Sequence, residues 1–350
     1  MAYATFNKPS LQFNTKLYTG NGGTQSVTGV GFQPDWLWLK KRNSSANHFL
    51  FDAVRGANKE LNSNNTEAEA SPANYLSSFD SDGFTIGSDS DINGNSDTHV
   101  AWNWKANGAG SANTDGTINS TVSANTTAGF SIVTWTAGSG VGSIGHGLGV
   151  APSMIIVKGR SAAIGWVTGL KSNGWNNYLT LQSTNANNND RRMFSPSGQS
   201  DPTSTVWYQD HAALGSSGDS MIGYVFAEKK GYSKFGTYVG NGSTDGTFIY
   251  TGFKPAFLIW KQTNTGGQNW GLFDNKRDPH NFVSLRLPPD TTDSEGSPSA
   301  AGSCDFLSNG FKWRSDFGSR NGNNGTYIYM AFAEEPLVAN VGQSIPATAR

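Results

Sequence analysis

Two acid–base pairs of identical spacing are the residues in this sequence whose types most directly suggest chemistry. Leu50-Phe51-Asp52-x-x-Arg55 returns as Leu272-Phe273-Asp274-x-x-Arg277, while the corresponding stretch Thr168-Gly169-Leu170 carries no such pair. A carboxylate and a guanidinium three residues apart can grip a polyol or a carboxylate, because the arginine fork matches two oxygens. The same residues also suit a strand end whose aspartate accepts turn N–H groups and pairs with the arginine. We expect this second role, since the pair travels with its strand frame. Trp166, Trp175, Trp207, Trp270 and Trp313 are further candidates, set among polar, Gly-rich neighbours. Aromatic faces beside amides and carboxylates can stack on a sugar and bond its hydroxyls. Tryptophans can equally plug the ends of a sandwich or an intersubunit seam.

Other constellations are thinner. Asp89-Ser90-Asp91-Ile92-Asn93-Gly94-Asn95-Ser96-Asp97 has the oxygen spacing of a calcium loop, but Val100 stands where the closing glutamate belongs. An Asn-Gly hairpin loop is the expected structure there, and neither a metal nor another cofactor is expected. His48, His99, His146, His211 and His280 are scattered without paired spacing. Gly145-His146-Gly147-Leu148-Gly149 precedes no helix that could make it a phosphate cradle. Glu67/Glu69 and Asp80/Asp82 lie in polar loops, where nothing would raise a carboxyl pKa towards general-acid duty. A polysaccharide hydrolase would need two carboxylates from distant loops to converge. The expectation is a protein that is not an enzyme.

The elements that must position these residues come three times. Gly31-Phe32-Gln33-Pro34-Asp35-Trp36-Leu37-Trp38-Leu39-Lys40 reappears as Gly252-Phe253-Lys254-Pro255-Ala256-Phe257-Leu258-Ile259-Trp260-Lys261. A diverged copy is Gly149-Val150-Ala151-Pro152-Ser153-Met154-Ile155-Ile156-Val157-Lys158. Related strands close each unit: 98–104, 220–226 and 326–332. Short apolar runs bounded by Gly, Asn, Asp and Pro predict an all-β chain of three tandem antiparallel sandwich-like repeats. The expected boundaries are an N-terminal arm 1–16, repeats at 17–106, 129–230 and 231–337, a linker 107–128, and a C-terminal tail 338–350. The repeated strands are apolar on both parities, so both of their faces should be covered. Helical turns are expected only within 46–55 and 66–76.

Composition narrows the partners. With 350 residues, a net charge of -1 and charged residues at only 15%, the chain has no basic surface that would attract nucleic acid or an anionic membrane. Cys304 is the single cysteine, so no intrachain disulfide can form. No apolar run is long enough to span a bilayer, and the first residues lack the pattern of a secretory signal. The expectation is a soluble chain made in a cytoplasm. Abundant aromatics and the absence of disulfides predict a homo-oligomer.

Several strings resemble a module of virion structural proteins from tailed phages of marine and cyanobacterial hosts. They are Tyr18-Thr19-Gly20-Asn21-Gly22, Gly31-Phe32-Gln33-Pro34-Asp35-Trp36, 50–56, 79–84, Ala101-Trp102-Asn103-Trp104-Lys105, 231–236, 327–334 and 345–350. The resemblance implies a virion protein of the tail-fibre or host-attachment kind, with a lectin-like (concanavalin-type) sandwich and no catalytic motif to carry over. The chain lacks a long repetitive shaft, which leaves room for a head decoration, knob or tail-appendage role. The partners so implied are further copies of itself as a trimer, other virion proteins and host-surface glycan. Nucleic acid and membrane insertion are not among them.

Overall fold

The strand Trp36-Leu37-Trp38-Leu39-Lys40 sets the architecture, because all five of its side chains are buried and they alternate between two different cores. In a computed structural model, residues 8–296 and 303–336 are described. The expected tail 338–350 and residues 1–7 of the expected arm lie outside them.

The first unit contains β1 (Phe13–Thr19), β2 (Gln25–Thr28), β3 (Trp36–Lys41), β4 (His48–Asp52), β5 (Gly56–Asn62), β6 (Leu76–Asp80), β7 (Gly83–Ile86), α1 (Ser90–Asn93) and β8 (Thr98–Trp104). The second holds β9 (Ser111–Asn113), β10 (Ser120–Asn125), β11 (Phe130–Thr136), β12 (Val141–Gly145), β13 (Met154–Gly159), β14 (Trp166–Leu170), β15 (Asn177–Thr180), β16 (Asn188–Asn189), β17 (Val206–Asp210) and β18 (Ser220–Phe226). The third holds β19 (Ser233–Val239), β20 (Phe248–Tyr250), β21 (Phe253–Gln262), β22 (Gly271–Asp274), β23 (Ser303–Leu307), β24 (Gly310–Arg314), α2 (Gly318–Asn321) and β25 (Thr326–Pro336). The protein is all-β.

The main sheets run β1-β8-β3-β4-β5, β16-β15-β14-β13-β18-β11-β10-β9 and β19-β25-β21-β22. Within them β1-β8-β3-β4, β11-β18-β13-β14 and β19-β25-β21-β22 are the same antiparallel succession. Register matches too: Trp36 faces Trp104, Met154 faces Phe226 and Phe257 faces Phe332. A small sheet covers one face of each main sheet: β2-β7-β6, β12-β17 and β20-β24-β23. Leu37, Leu39, Phe49, Phe51, Phe84 and Ile86 fill the first sandwich. Val133, Trp135, Ile155 and Trp207 fill the second, and Leu258, Trp260, Phe273 and Trp313 the third.

The opposite faces of all three main sheets meet in one shared core. Trp36, Trp38, Trp102 and Trp104 join Phe130, Ile156, Tyr224 and Phe226 and also Phe257, Ile259, Met330 and Phe332. Phe332 lies 5.6 Å from Trp104 and 6.0 Å from Phe226, ring centre to ring centre, and Phe226 lies 5.9 Å from Trp36. Each such side chain contributes roughly 1.5–3 kcal/mol on burial. The units are therefore three sectors of one body around a pseudo-threefold axis. This is why the repeated strands are apolar on both parities.

Several expectations require correction. The stretch 107–128 is no linker: β9 and β10 extend the second main sheet, with Val122 facing Val133. Its scarcity of large apolar residues reflects an edge position, where hydroxyl side chains suffice. The arm expected to end at 16 already supplies β1 from Phe13, paired along its length with β8. The span 46–55 holds β4; short 3-10 turns occur at Pro9–Leu11, Lys171–Asn173, Arg191–Met193 and His211–Ala213, and the α-helical turns are α1 and α2. The α1 turn stands where an Asn-Gly hairpin loop was expected, α2 is its counterpart in the third unit, and repeated asparagines hold both. Asn93 accepts the Asn21 N–H at 3.0 Å and Asn321 accepts that of Asn241 at 3.2 Å. A Cβ on Gly20 would lie 2.2 Å from the Gly94 oxygen, so only glycine permits this approach. The tryptophans are interior: all eleven are at most 5% exposed.

Candidate functional site

Each DxxR pair sits where β4 or β22 ends and the chain turns, and the geometry is the same in both. Asp52 Oδ1 accepts the Arg55 N–H at 2.9 Å, and Arg55 Nε donates to Asp52 Oδ2 at 2.5 Å. Asp274 and Arg277 repeat both contacts at 2.9 and 2.5 Å. Both side-chain pairs are fully buried, so neither presents a fork to a ligand. Instead they are joints between units. Tyr224 of the second unit donates to Asp52 Oδ2 at 2.9 Å, and Trp102 Nε1 of the first donates to Asp274 Oδ2 at 3.0 Å. Tyr224 and Trp102 occupy the same register of β18 and β8, facing Ile156 and Trp38.

The arginines carry the network outward. Arg55 Nη1 reaches Glu69 at 3.2 Å, and Glu69 is also gripped by Arg160 of the second unit at 2.8 and 3.0 Å. Arg277 Nη1 reaches Glu295 at 2.9 Å, which Arg42 of the first unit grips at 3.1 and 2.8 Å. Main-chain bonds pin both glutamates alike, Glu69 N to Arg160 O at 2.8 Å and Glu295 N to Arg42 O at 2.7 Å. Burial opposes the Arg55 and Arg277 charges, yet the neighbouring carboxylates outweigh it and hold both pKa values above the ordinary value. Burial would also raise the Glu69 carboxyl, but Arg160 and Arg55 hold it below the usual range.

The seam between the second and third units shows the same joint without charge. Leu170 replaces the aspartate and packs in the core that also contains Met330, the counterpart of Tyr224 and Trp102. Asn173 Nδ2 donates to Asn187 Oδ1 at 3.1 Å where the other seams have Arg–Glu. Asn187 N bonds Thr263 O at 2.8 Å, with threonine at the position of Arg160 and Arg42. Acid, bases and polar partner are thus lost together, as expected if each charge is there only to satisfy the others.

At the far end of the strands lies a second belt. Lys40, Lys158 and Lys261, the last residues of the three repeated motifs, are all fully buried. Each ammonium is held by main-chain carbonyls of the preceding unit's loop. Lys40 bonds Thr292 O at 3.2 Å, Lys158 bonds Thr66 O at 3.2 Å and Glu67 O at 2.9 Å, and Lys261 bonds Thr184 O at 3.2 Å. Burial pushes all three pKa values down to about 8. Beside them, Asn64 Oδ1 accepts the His48 N–H at 2.9 Å and Gln182 Oε1 accepts the Trp166 N–H at 2.9 Å. Asp290 faces the Trp270 N–H from the equivalent place, and burial pushes its carboxyl up to about 7.

The five candidate tryptophans stand corrected by burial, since Trp175 is 4% exposed and Trp166, Trp207, Trp270 and Trp313 are wholly enclosed. Trp166 Nε1 donates to Asn62 O at 2.7 Å and Trp270 Nε1 to Thr180 O at 3.0 Å, both across seams. Trp175, Trp207 and Trp313 fill the sandwich interiors. No ring face among them is open to a sugar. Exposed aromatics not singled out by sequence include Phe282 at 50%, Phe317 at 47%, and the pair Phe248 at 43% and Tyr250 at 58% on the outward parity of edge strand β20. Their alternation within Phe248-Ile249-Tyr250 was the available signal. In the calcium-spaced loop, Asp89 caps α1 through the Asp91 N–H, and Asp97 pairs with Lys41 at 2.7 Å. Among the described residues no cluster of three or more His, Cys, Asp or Glu could hold a metal ion. Burial lowers His99 and His146 to about 4, so both are neutral near pH 7.

Fold and seams together define a class: a single-chain, pseudo-threefold all-β body whose charged side chains join its sectors. The chain belongs to the family described as a domain of unknown function, DUF7483, whose model matches residues 8–336. No curated protein matches it.

Proposed function

We propose that the chain is a non-enzymatic structural component of a tailed-phage virion, a head-decoration, knob or tail-appendage piece. The observation that supports this most is the use of the repeated chemical residues. Asp52, Asp274 and the three motif lysines bind one sector to the next, and Arg55 and Arg277 hold the glutamates that Arg160 and Arg42 of the neighbouring sectors grip. Groups so engaged maintain a shape and are poorly placed to turn over a substrate. The partners in this reading are other virion proteins, and a pseudo-threefold chain suits a threefold-symmetric position on a particle. The test is mass spectrometry and cryo-EM of purified particles from the source of the gene. A fixed stoichiometry and three-lobed density are expected; absence of the chain from the particles would sink the reading.

Host-glycan attachment is a second reading, favoured by the exposed Phe248 and Tyr250 beside the Lys312–Asp245 pair, which closes at 2.6 Å. Flat aromatic faces with charged neighbours are a stacking platform for sugars. Loss of particle adsorption in Tyr250→Ala with an unchanged melting temperature is the expected result for that reading, and unchanged adsorption counts against it.

A further inference from the structure

We infer that the edge of β20 is a docking site for this chain's own C-terminal segment, 337–350, which adds to the small sheet as a further strand. Each small sheet ends on an equivalent edge strand: β2, β12 and β20. Val27, Ile144 and Ile249 are counterparts there, facing Phe84, Trp207 and Phe311. In β20, Trp313 N bonds Thr247 O at 3.2 Å and Thr251 N bonds Asn309 O at 3.0 Å. Antiparallel bonding alternates, so the main-chain N–H and C=O of Phe248 and Tyr250 point away from β24. Among the described residues no strand pairs with β20 on that side.

The second unit shows the same edge occupied. Ser143 and Gly145 flank Ile144 as Phe248 and Tyr250 flank Ile249. Ser143 N bonds Thr117 Oγ1 at 2.9 Å, Ile118 N bonds Ser143 O at 3.0 Å, and Ser120 Oγ donates to Gly145 O at 3.3 Å. Ile118 and Ile144 form a parallel β-bridge. A short uncharged piece of the chain, Gly116-Thr117-Ile118-Asn119-Ser120, thus satisfies the groups that β20 leaves open. In the first unit the corresponding edge carries Ser26 and Thr28, both exposed and suited to water. The third unit alone places aromatics there, Phe248 and Tyr250, and Val239 is 55% exposed where Thr19 and Thr136 are its counterparts. A bare edge with apolar side chains is made to be covered.

The point where the described chain ends identifies the cover. β25 finishes at Pro336, which faces Phe253, three residues beyond Tyr250. Three Cα steps and one cross-strand spacing keep that exit within about 17 Å of Tyr250. The segment 337–350 spans roughly 46 Å when extended, ample to reach β20 and run along it. Leu337, Val338, Val341 and Ile345 supply aliphatic contacts, and Arg350 is its only charged residue. Entry from the Tyr250 end makes the added strand antiparallel to β20, so its main chain serves both residues.

The test is amide-resolved hydrogen exchange on the purified full chain. The N–H groups of Phe248 and Tyr250, and several within 337–350, should exchange at least about tenfold more slowly than free peptide, at a rate independent of protein concentration. Phe248→Ser/Tyr250→Thr, which gives β20 the side chains of β2, should return the segment to free exchange. A chain ending at Pro336 should free the Phe248 and Tyr250 amides, which keeps the test valid if the double substitution is unstable. Free exchange of 337–350 in the native chain overturns the proposal, as does protection that survives both variants. Protection lost on dilution also overturns it and assigns the edge to a second copy. The outcome is independent of virion placement, because no particle is involved, and the docked strand is an alternative to sugar stacking at this edge.

Discussion

Replacing Asp52 with leucine gives one seam the residue that another seam already uses at Leu170. The carboxylate accepts three hydrogen bonds, from the Arg55 main chain, Arg55 Nε and the Tyr224 hydroxyl. Its loss leaves Arg55 fully buried, with Glu69, the Leu50 carbonyl and a long bond to the Tyr224 hydroxyl to offset its charge. Breaking a buried pair in this way costs about 3–5 kcal/mol, whereas removing both charges costs far less. We therefore expect Asp52→Leu to lower stability by about 3–5 kcal/mol, and Asp52→Leu/Arg55→Asn to recover more than half of that loss. Tyr224→Phe should cost about 1.5–3 kcal/mol in the native chain, since it removes a bond to a charged acceptor. In the Asp52→Leu background it should cost little. Urea denaturation of the four members of that cycle gives the coupling directly. A loss below about 1 kcal/mol for Asp52→Leu, or an equal Tyr224→Phe effect in both backgrounds, would refute the view that these charges are mutually dependent joints.

Other outcomes follow from the same structure. Asp290 has its folded pKa raised to about 7 from 3.8, so the folded state holds a proton that the unfolded state has released. Stability should fall as pH rises through that window, and Asp290→Asn, matching Asn64 and Gln182, should flatten the slope in melts from pH 4 to 8. We expect a gain of about 1–2 kcal/mol at pH 8, less than the roughly 4 of the whole displacement because the site can relax. An unchanged slope would contradict this. The belt lysines have the opposite sign: their folded values near 8 lie below 10.5, so the unfolded chain keeps more protons and stability should rise from pH 8 towards 10. Lys158→Met should reduce that rise in denaturant titrations at pH 7, 8 and 9.5. Gly271→Ala would place a methyl 2.0 Å from a Trp260 ring carbon and should lower stability by about 3 kcal/mol or more in the same assay. With every tryptophan buried, emission should be blue-shifted and resist iodide; strong quenching would argue against the enclosed core.

Much of the fold was legible because its determinants are local. The double-sided apolar runs ending in Lys40, Lys158 and Lys261 marked central strands, and the Gly-Asn turns marked strand ends. Even the turn-closing role of Asp52 and Asp274 was readable, since an aspartate followed three residues later by arginine can close its own turn. What escaped were positions whose meaning depends on a neighbour far away in sequence. Ser120 to Asn125 carries too little apolar area to announce itself, and becomes a strand only because β11 offers an unpaired edge.

The sequence by itself determined that this chain is all-β, that it repeats one strand frame three times, and which residues lie at strand ends. Periodicity and turn chemistry are read over a few residues, so no partner is needed to see them. Only the tertiary structure decided that the three units share one core and that Tyr224 answers Asp52 while Trp102 answers Asp274. Trp166 and Trp270 were drawn inward for the same reason, while Trp175, Trp207 and Trp313 fill the sandwich interiors. Burying a second face on each sheet removes more apolar surface from water than separate sandwiches could, and that gain depends on three surfaces meeting at once.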